Sequence, residues 1–403
     1  MPYDAFTIDT NKAIQGGLNL EGGLLAQLTQ FKEGQIDLIL SEIVVREIHK
    51  HLLDQVRKAR DSMSNAAAKV RSAQLVEGDA AAQLKGIVDA MPDPKKVTGA
   101  RLTRYIEATG AEIIPVGLAP MDAVVGSYFS ASPPFEASGS KKAEFPDAIA
   151  LLSVEEWAKQ KGKKVLAVSE DGGWRAFGEK SEHIDVEPDF AKALEIVQEH
   201  ADAAEKAVAE WLAALEEGKL EDALGAVEEG LRRSLSEWQF YGEGSGAYHL
   251  ELDSVELSLD AYTLAKFDDA YDITIVRIGS SQIVARVGAT FTATARAEFS
   301  LAVWDSVDKE YVGMGSQSAE RELEFEGAFL LTLAGELADG IEALEVEDIE
   351  VVDAIGAVDF GEVEMDHYDD EEDYRAWLAE ESHAELAADV EAERQAVMGP
   401  SPF

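Results

Sequence analysis

The sequence has no cysteine. Disulfides and thiolate metal sites are therefore excluded, and a reducing compartment is compatible with the chain. It also lacks a basic N-terminal segment followed by an apolar one, since it opens MPYDAFTIDTN. Its longest later apolar stretches, such as GAFLLTLAG, are too short to cross a bilayer. These absences lead to the expectation of a soluble cytoplasmic protein with no membrane association. No phosphate-binding glycine fingerprint follows a strand, and no nucleophile elbow is present. The two histidines of HKH, His49 and His51, stand at i and i+2, on different faces of a helix, which is not the i, i+4 spacing of a zinc-protease helix.

Positive charge is also scarce. Lys and Arg number 35 against 79 Asp and Glu, a net charge of -44. Residues 201–403 hold 49 acids against 12 Lys and Arg, whereas residues 1–200 hold 30 against 23. Residues 46–104 reverse the sign, with 12 Lys and Arg against 7 acids. Such a basic arm on an acidic molecule would attract a polyanion only locally. A solvated helix of mixed charge explains it equally well.

What is present is apolar material for a sizeable core. The chain has 403 residues, 46% of them hydrophobic, long for one core, so two or more domains are expected. DAFTID (4–9), QIDLIL (35–40), AEIIPV (111–116) and KVLAVS (164–169) read as strands. Helical spacing separates them, over about 19–33, 41–76, 80–90, 98–109 and 146–161, while 127–141 reads as loop from its Ser, Pro and Gly content. Strands alternating with helices predict an α/β unit with a central parallel sheet. From Pro188 to about Trp238 the pattern is helical, with a hairpin near Gly218, and GEGSG (242–246) reads as a linker. Segments 247–258, 271–277, 282–289, 290–304, 319–327 and 347–353 favour strands, with a helix near 328–340, and indicate an antiparallel α+β domain. The expected boundaries are 1–187, with a helical insertion at about 53–110, then a helical connector at 188–245, an accessory domain at 246–360 and an acidic tail, helical or disordered, at 361–403.

Four carboxylates stand out, each with a local explanation of its own. Asp9 closes the first strand, where Asp also caps helices. Glu47 lies beside the apolar stripe Val44, Ile48, Leu52, and an unpaired carboxylate there needs a cation, a donor or a metal. Asp147 follows Pro146 at a helix start, a position suited to the macrodipole. Asp171 opens an Asp-Gly turn, yet it ends an apolar strand of the kind found mid-sheet, and ligands of such folds bind beyond the carboxyl ends of strands. Glu42, Glu144 and Glu170 are spare acids nearby.

Taken in order, IDTN, Ser41 with Glu47 six residues on, DAIAL opening a helix, and Ser169-x-Asp171-x-x-Trp174 ending a strand resemble the signature blocks of PIN-domain ribonucleases over residues 1 to about 180. Trp174 stands where Phe is more usual, and the long spacing from Glu47 to Asp147 resembles an insertion-bearing bacterial branch with a large C-terminal extension. The resemblance implies a PIN-like three-layer α/β sandwich, here followed by a mainly antiparallel α+β domain. It also implies that Asp9, Glu47, Asp147 and Asp171 are catalytic and ligate Mg²⁺ or Mn²⁺, with Asn11 and Ser169 supporting them. Two ionised carboxylates about 5 Å apart repel by roughly 3 kcal/mol at an effective dielectric near 20, so four converging ones call for a divalent ion or for protonation. Lys141, Lys142, Arg46, Lys50, Arg57 and Lys58 are the candidate contacts to nucleic-acid phosphate. The implied activity is metal-dependent endoribonuclease cleavage of RNA, in growth control or defence. A flap-endonuclease-like DNA nuclease and a non-catalytic PIN-like scaffold stay open. A protein inhibitor or partner on the C-terminal domain and a homo-oligomer are expected as partners besides RNA.

Overall fold

The computed structural model describes residues 2–76, 78–135, 144–307, 309–336 and 339–364. Lys141 and Lys142, and the tail beyond Glu364, lie outside the described residues.

The N-terminal half alternates strands and helices: β1 (Ala5–Ile8), α1 (Thr10–Gln15), α2 (Gly23–Ala26), β2 (Asp37–Ser41), α3 (Glu42–Ser72), α4 (Gly78–Ala90), α5 (Pro94–Thr109), β3 (Glu112–Ile114), α6 (Met121–Ser130), α7 (Phe145–Lys161), β4 (Val165–Val168), α8 (Gly172–Gly178) and β5 (Ile184–Glu187). The five strands form one parallel sheet in the order β3-β2-β1-β4-β5. Every residue of β1 and β4 is buried, as apolar strands covered on both faces must be. The two-residue period divides their side chains between two cores. Phe6, Ile8, Leu38, Leu40, Leu166 and Val168 point to one, with α1, α3 and α5. Ala5, Ile39, Val165 and Ala167 point to the other, with α7 and α8. This is the three-layer sandwich of a PIN-like fold.

Helix α3 starts at Ser41, whose hydroxyl accepts the Ile43 N–H at 3.3 Å. Its first turns bury Val44, Ile48 and Leu52. Beyond Leu52, Ala67 alone of its residues is fully buried, so the helix runs on past the core. Helix α7 has Pro146 in its first turn and ends at Gly162, at φ 65°.

The chain continues through α9 (Phe190–Ile196), α10 (Ala201–Glu216) and α11 (Glu221–Ser236), then β6 (Tyr241–Ser245), β7 (His249–Leu264), β8 (Lys266–Phe267), β9 (Ala270–Tyr271), β10 (Ile273–Ile278), β11 (Gln282–Asp305), β12 (Glu310–Ala334), β13 (Glu345–Asp353) and β14 (Ala357–Glu362). Strands β10-β11-β12-β13 form the second sheet in that order, with β7 also pairing β11. Its β10–β11 and β12–β13 pairs are antiparallel. Two compact units result. One comprises Met1–Trp238, Ser258–Ala293 and Leu323–Ile355, and the other Gln239–Leu257, Thr294–Glu322 and the chain from Gly356 on. Within the first unit Val276, Val284 and Leu330 of the second sheet enter the same core as Phe6 and Ile8. In the second unit Phe299 and Val363 centre a smaller core with Leu250, Leu252 and Phe360.

Four local expectations are corrected. The helix expected near 328–340 is strand as far as Ala334, because a short apolar run has the same composition in a buried strand as in a buried helix. GEGSG is not a free linker: β6 pairs β14 in parallel, and a Cβ at Gly244 would meet Val363 Cγ2 at 2.9 Å, so glycine permits the approach. The segment expected as loop from 127 is helix α6 as far as Ser130. The expected helix over 19–33 is broken into α2 and a 3-10 stretch, Gln27–Glu33. Among the described residues no helix is long and apolar enough to cross a membrane.

Candidate active site

The parallel sheet determines where Asp9 and Ser169 meet. Strands β1 and β4 are neighbours in register, Ile8 opposite Val168, and the Asp9 N–H continues the ladder to the Val168 carbonyl at 2.9 Å. The next residues, at the carboxyl ends of both strands, therefore face each other. Ser169 Oγ donates to Asp9 Oδ2 at 2.7 Å, with Ser169 fully buried and Asp9 5% exposed. The same Oγ accepts the Asp171 N–H at 3.1 Å and the Asn11 side-chain N–H at 3.4 Å. One donor and two lone pairs are then all in use.

Asp171 caps α8, its Oδ1 accepting the N–H groups of Gly173 at 2.7 Å and Trp174 at 3.0 Å. One oxygen serves the turn, and no bond to the other is found among the described residues. Glycine is required at 173, because a Cβ there would meet the Pro134 carbonyl at 2.8 Å. Glu47, on the second turn of α3, accepts the Thr10 hydroxyl at 2.7 Å, which ties α3 to the start of α1. Asp147 lies in the first turn of α7.

Asp9 and Asp147 respond to the other acids. Burial pushes Asp9 up to about 6, against the Ser169 and Thr10 hydrogen bonds that lower it, and the charges of Asp171 and Glu47 push it further. Asp147 rises to about 7, first through burial and then through Asp9, with Asp171 and Glu47 adding to the rise and Trp174 opposing it. Among the described residues, the charges that act most on these two groups are negative. The buried cation closest in sequence, Lys12, is turned away to Glu170, which also accepts from Gln15. One further polar atom at the site, Asn11 Oδ1, is buried with no hydrogen-bond partner among the described residues, while the Trp174 indole N–H is directed at Asp147.

Among the described residues no three or more His, Asp or Glu side chains are close enough together to form a finished metal cage. The donor chemistry nevertheless suits a hard divalent ion: carboxylate oxygens, no neutralising cation among the described residues, and an orphaned amide oxygen on Asn11. Asp9 and Glu47 are each held through a hydroxyl, and Asp171 through its turn, so their positions are set in advance.

Of the spare acids, Glu42 is spent on the Val116 N–H at 3.1 Å and on Arg46, which hold its carboxyl below the usual range. Arg57 is 3.8 Å from Asp54. Thr10 and Lys12 were not among the sequence candidates. A hydroxyl next to Asp9 was the one signal available for Thr10, and its partner lies 37 positions away.

Residues 7–174 match the model of a family described as PIN domain. No curated protein and no solved structure matches the chain. The N-terminal part is thus similar to a PIN domain over those residues, and a C-terminal extension with an antiparallel sheet follows it. PIN domains are usually nucleases, and these nucleases generally use divalent metal ions.

Proposed function

We propose that this protein is a Mg²⁺- or Mn²⁺-dependent endoribonuclease whose centre is Asp9, Glu47, Asp147 and Asp171. One observation carries the reading: two of the acids are raised to about 6 and about 7, and among the described residues the charges that act most on them are negative. Structural carboxylates are normally paired or hydrogen-bonded to cations, whereas a cluster at the carboxyl ends of central strands with no cation beside it among the described residues is a costly arrangement that function explains. Held by these carboxylates, a divalent ion would supply Lewis acidity and a water of lowered pKa.

The chain's own residues prepare that site. Ser169 fixes Asp9 and the Asp171 turn together, and Thr10 orients Glu47. Asp147 reaches the cluster from the first turn of α7 on the opposite side of the sheet from α3. The expected products carry a 3′-hydroxyl and a 5′-phosphate. The setting, growth control or defence, belongs to the same proposal, as does a protein partner on the C-terminal sheet.

Cleavage assays on labelled single-stranded RNA and DNA in Mn²⁺, comparing the intact chain with Asp9→Asn and Asp147→Asn, test the reading. RNA cleavage lost in both variants supports it. Preference for DNA transfers the site to a DNA nuclease. Equal cleavage by the variants removes the site assignment, and no cleavage of either strand favours a non-catalytic scaffold.

A further inference from the structure

A cleft of about 520 Å³ opens between α1 and α3. This falls within the range of about 300–1,000 Å³ typical of small-ligand sites. Thr10 on α1 and Glu47 on α3 are joined by a hydrogen bond at 2.7 Å, although neither lines the cleft. One helical turn further along each helix, Ile14 and His51 line its walls, about 6 Å from that bond along the helix axes. Ile14 is 43% exposed although apolar, whereas Leu18, which also lines the cleft, is buried in the core. His51 has no hydrogen-bond or ion-pair partner among the described residues.

At the far end stand Arg57 and Lys58. Two acids, Asp54 and Asp61, also line the cleft, but Asp54 makes only a long pair with a half-exposed Arg57, a contact that solvent screens. Lys50 and Arg60 on the same helix leave this stretch of α3 with a positive surplus, in contrast to the acidic molecule around it.

We infer that the cleft is a subsite for one unpaired nucleotide next to the scissile phosphate. The base lies against Ile14 and the His51 imidazole, and the following phosphate lies at Arg57 and Lys58. The inference rests on the nuclease reading above and adds to it the means by which the strand is held. Apolar and imidazole surface takes the face of any base, and a cation beyond it takes the backbone. A base enters such a cleft only by leaving the stack, so a duplex is disfavoured.

The test measures binding of a fluorescein-labelled single-stranded oligoribonucleotide to the full chain by anisotropy in EDTA, where it is not cut, and cleavage kinetics of the same strand in Mn²⁺. Ile14→Glu should weaken binding about tenfold and raise KM, as should Ile14→Ser to a smaller extent. Lys58→Gln should reduce the slope of log affinity against log salt by about one. The control Lys206→Glu, on α10, should change neither. The strand annealed to its complement should bind at least tenfold more weakly. If the intact chain cuts RNA while the Ile14 and Lys58 variants match it in affinity and KM, or if duplex binds as well as single strand, the subsite is wrong and the nuclease reading stands. If the intact chain neither binds nor cuts any strand, both fall together.

Discussion

Ser169 and Asp9, 160 positions apart in the chain, meet at the ends of adjacent parallel strands through a 2.7 Å hydrogen bond from Oγ to Oδ2. Because the same hydroxyl accepts the Asp171 N–H, one buried atom sets two of the four acids. Ser169→Ala should cost about 1–3 kcal/mol, leaving a buried carboxylate oxygen and an N–H unpaired. Since that bond lowers the Asp9 pKa, its loss raises the value above about 6. Thermal melting and Mn²⁺ titration calorimetry should therefore show lower stability and weaker metal binding together. Full Mn²⁺ affinity in a destabilised variant would separate Ser169 from the site.

Without a divalent ion, the crowded acids should make the protein less stable as pH rises. Asp9 and Asp147 have native pKa values of about 6 and about 7 against ordinary values of 3.8. Between those limits the native state binds more protons than the unfolded one, so stability falls with rising pH across the window. The penalty is absent below about pH 4 and complete above about pH 7. For Asp9 it is on the order of 3 kcal/mol. Asp147 is partly exposed and contributes a discounted share. Melting in EDTA should show Tm falling from pH 5 to pH 8, Asp147→Asn should flatten the fall, and Mn²⁺ should abolish it. A flat profile in EDTA would mean that the acids are compensated in another way.

The sheet could be read from the sequence where burial leaves an apolar run. AFTI, DLIL and VLAV are covered on both faces and stand out, so Asp9 and Asp171 at their carboxyl ends were found with them. β5, IDVE, is an edge strand with only Ile184 fully buried, and it carries no such run. Helix α6 buries Val124 alone, so no period marks it. The roles of Thr10 and Trp174 depend on side-chain orientation set by packing between distant segments, which local patterns do not encode. The core shared by the PIN sheet and the second sheet was likewise hidden, because Val276, Val284 and Leu330 read simply as strand interior.

That shared core predicts the behaviour of a fragment ending at Glu187. It would keep the matched family segment but lose Phe190, Leu194, Val276, Val284 and Leu330 from one face of the sheet. Gln30 would lose the Val276 carbonyl, 3.2 Å away, and the Gly23 N–H would lose Glu350 Oε2 at 2.7 Å. Each large side chain removed from a core costs about 2–5 kcal/mol, which together exceeds the stability of an ordinary domain. The fragment should show far-ultraviolet helix signal without near-ultraviolet structure and should be cut rapidly by protease. A cooperative thermal transition in the fragment would show that the second sheet is dispensable for folding.

Asp171 offers a way to separate turn from chemistry, because its two oxygens have different tasks. Oδ1 caps α8 through two N–H groups, and its charge adds to the rise of both Asp9 and Asp147. Asn is as good a cap as Asp, so Asp171→Asn keeps the turn and removes the charge. Asp171→Ala removes both, at about 0.5–2 kcal/mol for the lost cap. In EDTA at pH 8 the Asn variant should therefore melt at or above the unaltered chain, since one repulsive charge has gone, and the Ala variant below the Asn variant. In Mn²⁺ cleavage both should be inactive to a similar degree, as the lost ligand oxygen is common to them. If the Asn variant retains activity while the Ala variant loses it, Asp171 serves the turn alone and the cation site must be built from the other three acids.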